Sequence, residues 1–328
     1  MRTIVPGVRT FVLICLLLGF TSRSFSQSIT TGNGKIEFGL GLGPMFFLGD
    51  LGGNKGIGKS TWLKDVSFPL TKLSKGLYVN IYPAEWLGFR VAVNQSKLEG
   101  YDSVIVDKGG LEYYRKVRNL MFRTNIWEAY AGLEIYPTVF FERYDGLKGK
   151  FRPYAVAGIG AFHFNPKGKY YDNATHTATW VDLKPLRLEG QGMAEYPDRK
   201  PYSLTQIEIP MGFGFKYYIK ENMYVGLEVL HRQTFTDYVD DVSTTYIDPN
   251  LFPNYLTPEQ AAMANQLYYR QNYVPFSASA RVPQDPQRGD ATQNDAFFSS
   301  ILRFGWRLND WNSPNGRALR QLRCPSYY

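Results

Sequence analysis

The chain has 328 residues and a formal charge of +8, with no aromatic-basic motif to accompany that charge, which excludes nucleic acid as its reason. Two cysteines, Cys15 and Cys324, exclude a disulfide-stapled scaffold. An aromatic content of 16% and the lack of any long apolar run exclude a helical membrane protein but not a strand-built one.

Residues 1–26 read as a signal peptide: Arg2 and Arg9 form the basic end, Phe11–Phe20 the apolar run, and Ser24-Phe25-Ser26 the cleavage region. Cys15 lies inside the apolar run without the small residues of a lipoprotein site, so no lipid anchor is expected. After cleavage the charge is +5 and Cys324 is the one remaining thiol.

Eight segments of alternating apolar and polar residues follow. The first, Lys35–Phe47, sets Ile36, Phe38, Leu40 and Leu42 against Glu37, Gly39, Gly41 and Gly43. The loop Leu48–Lys75 contains Gly53–Ser60, a full match to the phosphate-binding pattern GxxxxGK[ST]. That motif needs a strand before it and a long helix after it. Pro69 interrupts, and an exported chain meets no ATP supply, so a glycine-rich external loop is expected and no nucleotide.

The second segment, Gly76–Tyr82, turns through Pro83–Glu85 into the third, Trp86–Leu98, with Leu87, Phe89, Val91 and Val93 on one face and Arg90 and Asn94 on the other. The fourth is Phe122–Tyr136, with Glu128 and Glu134 inward. The connection Pro137–Lys150 then leads to the fifth, Arg152–Phe164. Its facing stays open, because Val156 and Phe162 on one parity and Ala157 and Ile159 on the other are all apolar.

The sixth, Leu204–Ile219, alternates most clearly: Ile207, Ile209, Met211, Phe213 and Phe215 against Glu208, Gly212, Gly214 and Lys216. The turn Lys220–Asn222 leads to the seventh, Met223–Phe235, with Glu228 and Arg232 inward. The eighth, Ala296–Leu308, points Leu302, Phe304, Trp306 and Leu308 outward and Arg303, Gly305 and Arg307 inward.

Short and long connections alternate, with Pro137–Lys150 a longer periplasmic exception, as in outer-membrane barrels with short periplasmic turns and long external loops. The expected fold is therefore all-β: an eight-stranded antiparallel transmembrane barrel over residues 27–310, in the outer membrane, with a periplasmic C-terminal tail over 311–328. Eight strands leave an interior that side chains can fill. Five inward acids (Glu37, Glu128, Glu134, Glu208 and Glu228) and five inward bases (Arg90, Lys216, Arg232, Arg303 and Arg307) predict a lumen cross-braced by ion pairs. A conducting pore is the alternative.

Candidate chemistry is sparse, and no catalytic, cofactor-binding or metal-ligating set is assigned. Asp237, Asp240, Asp241 and Asp248 cluster after the seventh strand, where oxygen ligands for a cation or a structured loop base would both fit. Of the three histidines, His163 and His231 fall near outer strand ends. Some small barrels modify lipid A with a His and a Ser near the outer leaflet, and His231 with Ser243 is the pair that would mimic them. No third, orienting group is evident.

Glu37–Leu51 (EFGLGLGPMFFLGDL), Phe151–Pro166 (FRPYAVAGIGAFHFNP), Leu188–Gly192 (LEGQG) and Thr234–Tyr246 (TFTDYVDDVSTTY) together resemble the PorG-like outer-membrane barrels of the Bacteroidota. The resemblance implies a non-enzymatic scaffold of the type IX secretion and gliding machinery. Its partners would be a periplasmic ring lipoprotein and that lipoprotein's partner protein, docking on Pro137–Lys150 or the tail. The long insertions Asn165–Ser203 and Thr236–Asp295 leave a paralogue with another task open. A small channel, a ligand-binding or adhesion barrel, and a lipid A-modifying enzyme are the other readings.

Overall fold

A computed structural model describes residues 36–51, 70–105, 115–116, 118–142, 147–270 and 287–308. The signal segment, the Gly53–Ser60 loop and the tail with Cys324 lie outside the described residues.

Eight long strands form the barrel: β1 (Ile36–Leu48), β2 (Lys72–Ala84), β3 (Leu87–Tyr101), β4 (Met121–Ile135), β5 (Phe151–His163), and, after a hairpin of two short strands, β8 (Thr205–Lys220), β9 (Met223–Thr234) and β10 (Ala296–Leu308). The hairpin is β6 (Lys167–Asp172) and β7 (Thr177–Asp182). The barrel strands run in the order β3-β2-β1-β10-β9-β8-β5-β4, and β3 pairs with β4 from Leu87↔Ile135 to Tyr101↔Met121, which closes the ring. Every barrel pairing is antiparallel.

The predicted facing holds along the strands. Leu77, Val91, Trp127, Ile159, Phe213 and Leu302 stand on the outer face, exposed, while Glu37, Arg90, Glu128, Lys216 and Arg303 are buried inside. The open question of β5 is answered in favour of the even positions. Arg152, Tyr154, Val156 and Phe162 point inward, and Ala157 and Ile159 point outward. Room for the luminal side chains comes from glycine: a Cβ at Gly39 would strike the Tyr78 ring, and one at Gly305 the Tyr224 ring.

Among the described residues no helix is long and apolar enough to cross a membrane. The crossing is made by strands, whose backbone groups are all satisfied in a closed ring. With an apolar outer band and a charged interior, the chain is an outer-membrane β-barrel.

The two longest external connections fold as well. Besides the β6–β7 hairpin, their described residues hold α1 (Phe252–Tyr255) and α2 (Pro258–Tyr268). Thr257 caps α2 through a capping box with Gln260, and Pro258 sits at its first turn. Leu267 and Tyr268 of α2 share one apolar core with Leu183, Leu188, Val239 and Phe252 of the loops. That core continues without a break into Phe122, Ile126, Phe162 and Phe297, the inward residues at the outer ends of β4, β5 and β10. The barrel thus carries a folded external cap that shares its apolar core.

Candidate functional site

The lumen is built from inward positions on all eight barrel strands, stacked in layers. Near the outer end, Arg232 on β9 donates through Nη2 to Glu128 on β4 at 2.9 Å, and Asn94 donates to the same carboxylate at 2.5 Å. In the middle, Arg90 pairs with Glu134 and Glu228, and Arg303 reaches Glu228 at 2.6 Å while its guanidinium lies 3.6 Å over the Tyr78 ring. Below that, Lys216 donates to Glu37 at 2.7 Å and to Glu134 at 3.3 Å. Its ammonium also sits 4.5 Å from the Tyr224 ring centre and 5.4 Å from that of Tyr136. Buried charges persist when they are paired and hydrogen-bonded, and this ladder supplies both kinds of contact.

The expected set of ten is buried throughout, but two members behave differently from expectation. Arg307 pairs with Glu85 of the β2–β3 turn, an acid outside the expected five, at 2.9 Å. Glu208 has no hydrogen-bond partner on either carboxyl oxygen, because its neighbour in the lumen is a second acid, Glu128, whose charge is already taken by Arg232. Glu85 and Arg152 were not singled out in the sequence. The Pro–Ala–Glu stretch reads as a turn, and nothing local reveals that its carboxylate bends under the barrel.

The described parts of the connection, 137–142 and 147–150, pack against the periplasmic end of the lumen. Val139 packs against the luminal tyrosines, Leu147 is fully buried among them, and Gly149 donates to the Tyr218 carbonyl at 2.8 Å. Arg152 ties this segment down through Glu142 at 2.9 Å and Glu85 at 2.8 Å.

Outside, the cap is organised around carboxylates. Glu189 accepts from the backbone N–H of Ser243 at 2.9 Å and of Thr244 at 3.0 Å, and from Arg288 at 2.8 Å. Asp240 accepts from the Leu51 N–H at 3.0 Å. Phe164 stacks near Tyr202 at 6.1 Å between ring centres. Residues near Glu189, the stretch after β9 and the end of β1 therefore meet at the junction of cap and barrel.

The expected four-aspartate cluster is divided. Asp241 accepts from the Tyr202 hydroxyl at 2.7 Å, and Asp248 caps a turn through the Asn250 N–H at 2.9 Å. Asp237 and Asp240 join Asp50 and Asp295 instead, which lie far from them in sequence. Among the described residues no three His, Cys, Asp or Glu side chains are placed to hold a metal ion together. Arg118 offsets part of the charge on Asp50 and Asp240, and burial favours the protonated form. Burial, reinforced by the charge of Asp50, pushes the Asp237 carboxyl up to about 9. Burial raises Asp50 to about 6 against the pull of Arg118, and Asp241 to about 7 against that of Arg288. Asp240 and Asp295 are also pushed well above the usual carboxylate range, mainly by burial.

The sign of the pH dependence follows. Unfolded carboxyls release their protons near pH 4, whereas the folded cap keeps them to higher pH. Stability from these groups is complete at low pH and is lost as pH rises through about 6 to 9. Protease cleavage of the cap in intact membranes is expected to be slowest near pH 5 and to quicken toward pH 9. Asp237→Asn should remove the uppermost part of that rise. A cleavage rate constant that stays flat from pH 5 to 9 would show that these carboxyls are already ionised in the folded cap.

The histidines do not form a site. His231 lies on the outer parity of β9 and hydrogen-bonds Gln233, whereas Ser243 is buried in the cap beside Asp237 and Tyr238. The structure does not bring the two together. His163 bonds Thr205 at 3.0 Å on the surface, and His176 occupies the tip of the β6–β7 hairpin with φ 52°.

No protein-family model matches the chain, and no curated protein matches it in sequence. Solved structures similar to it are outer-membrane proteins at low identity. A major outer membrane protein of Thermus thermophilus is 10% identical with a TM-score of 0.38, over 83% of this chain and 99% of that one. Ail, the attachment invasion locus protein of Yersinia pestis, is 8% identical with a TM-score of 0.35, over 84% and 99%. OprG of Pseudomonas aeruginosa is 11% identical with a TM-score of 0.34, over 84% and 97%. Likeness at this level does not bear on what the chain binds.

Proposed function

We propose that this chain is a non-enzymatic, non-conducting barrel whose task is recognition at the cell surface: a ligand-binding or adhesion barrel that presents its folded cap to the outside. One observation carries the reading. The lumen is filled at three levels, by the apolar floor of the cap, by the charge ladder and by the Val139–Leu147 closure. Among the described residues such filling leaves the lumen to side chains rather than water, while the cap shares an apolar core with the outer end of the barrel. In a planar lipid bilayer the purified protein is expected to give no steady single-channel current. Reproducible ohmic steps would reject the reading in favour of a small channel.

A second reading is a scaffold that anchors the periplasmic ring of a type IX secretion machine, as a PorG-like protein would. The hydrogen bonds and ion pairs on the described residues of the periplasmic connection favour it, since a face fixed beforehand pays less ordering cost on binding. Purification of the tagged protein from gently solubilised outer membranes separates the two. Recovery of the ring lipoprotein with its partner protein supports the scaffold. Recovery of the barrel alone, from cells with intact export, removes it.

A further inference from the structure

The turn Pro137–Phe141 turns two large side chains away from the protein. Phe140 is 60% exposed and Phe141 89% exposed. They are not on a loose end. The Val139 N–H donates to the Tyr136 carbonyl at 3.3 Å, and Val139 itself packs into the luminal cluster. Thr138 donates to Glu142 at 3.2 Å, and Glu142 is held in turn by Arg152. Trp86, from the neighbouring β2–β3 turn, sits against Phe140 with ring centres 5.8 Å apart. The inner side of the turn thus plugs the barrel while its outer side displays aromatic rings.

The position of those rings identifies what they meet. Ile135, the last outward residue of β4, precedes the turn by two residues and pairs with Leu87 of β3. Ile135, Leu133 and Phe89 are exposed members of the lipid-facing band. The aromatic surface therefore extends that band past the end of the strands rather than standing apart from it. Aromatic rings collect at the level of lipid headgroups, where an apolar body and a polar boundary are both available. Lys148 and Lys220 are exposed at the same end of the barrel, where the phosphates of that leaflet lie.

We infer that Pro137–Phe141 is a lipid anchor, with Phe140 and Phe141 inserted in the inner leaflet of the outer membrane beneath the strand ends. The partner of this surface is the bilayer, not a periplasmic protein. Leaving both rings in water would forgo the burial that favours large apolar side chains.

The test uses nitroxide labels on the barrel without its signal segment, reconstituted in phospholipid vesicles, in a Cys324→Ser background. Phe141→Cys is the probe, Phe213→Cys the lipid-face reference and Thr175→Cys, on the external hairpin, the water reference. Migration on unheated gels confirms that each variant is folded. The label at 141 is expected to relax faster with oxygen than with a water-soluble nickel complex, as at 213. Nickel accessibility equal to that at 175 would overturn the anchor and return these rings to the aqueous periplasm as a protein-docking surface.

Discussion

Glu134→Gln is expected to destabilise the barrel by about 3–5 kcal/mol, the cost of removing one partner from a buried charge pair. Glu134 is fully buried and is the shared acceptor of the ladder. It takes Arg90 from β3 and Lys216 from β8, Asn80 donates to it at 3.0 Å, and the Tyr136 hydroxyl bonds it as well. The amide keeps the shape but removes the charge that three buried cations face: Arg90, Lys216 and, at 4.0 Å, Arg303. Glu208→Gln, in the same lumen, removes a carboxyl to which no group donates. It is expected to leave stability unchanged or raise it. Urea unfolding in lipid vesicles, followed by tryptophan emission and by gel mobility, measures both. Equal loss at the two positions would mean that general packing, not the pairing pattern, holds the lumen together.

Phe213→Arg is the second large effect, at about 2–4 kcal/mol for a charge on the lipid face near the bilayer midplane. Phe213 stands near the middle of β8, opposite Ala155 and Val229, with more than half its surface open to lipid. Phe213→Leu keeps the apolar contact and should be tolerated, which separates loss of the ring from gain of the charge. The adjacent Gly212 faces the lumen, where sequence alone suggests a milder response to Gly212→Ala unless packing is tight. It is tight: a Cβ there would meet the Val229 carbonyl oxygen and approach the Leu230 Cα. Backbone cannot move aside as a side-chain tip can, so Gly212→Ala is expected to cost about 1–3 kcal/mol by overpacking. The same urea titration reads all three variants. Full stability of Phe213→Arg would mean that this face does not meet lipid.

The barrel strands were legible because period two is enforced by lipid on one side and charge on the other. Where that contrast fades, reading fails for a physical reason. On β5 the outer-end inward residue is Phe162, which packs with Phe164 and Phe297 beneath the cap, so both parities are apolar there. The hairpin and α2 left local signals that the barrel reading passed over: alternation across Lys167–Asp182, and Thr257-Pro258 followed by Gln260. The carboxyl group in the cap was half visible. Asp237 and Asp240 are neighbours in sequence, but Asp50 and Asp295 arrive from the ends of β1 and β10, and only closure of the ring brings them near. Likewise Arg307 with Glu85, and Arg152 with Glu142, are products of the folded periplasmic rim.

The shared core of cap and barrel has a bearing on assembly. The cap rests on Phe122 and Phe162, but also on Phe297, which belongs to β10, the last in chain order of the described strands. Asp295, just before that strand, accepts the Val239 N–H at 2.8 Å and so helps set the cap's central loop. β10 is also the strand that zips to β1, from Ile36↔Leu308 to Leu48↔Ala296. One segment therefore completes both the wall and the lid. The cap's packing on Phe297 and its bond to Asp295 therefore depend on the same strand that seals the seam with β1.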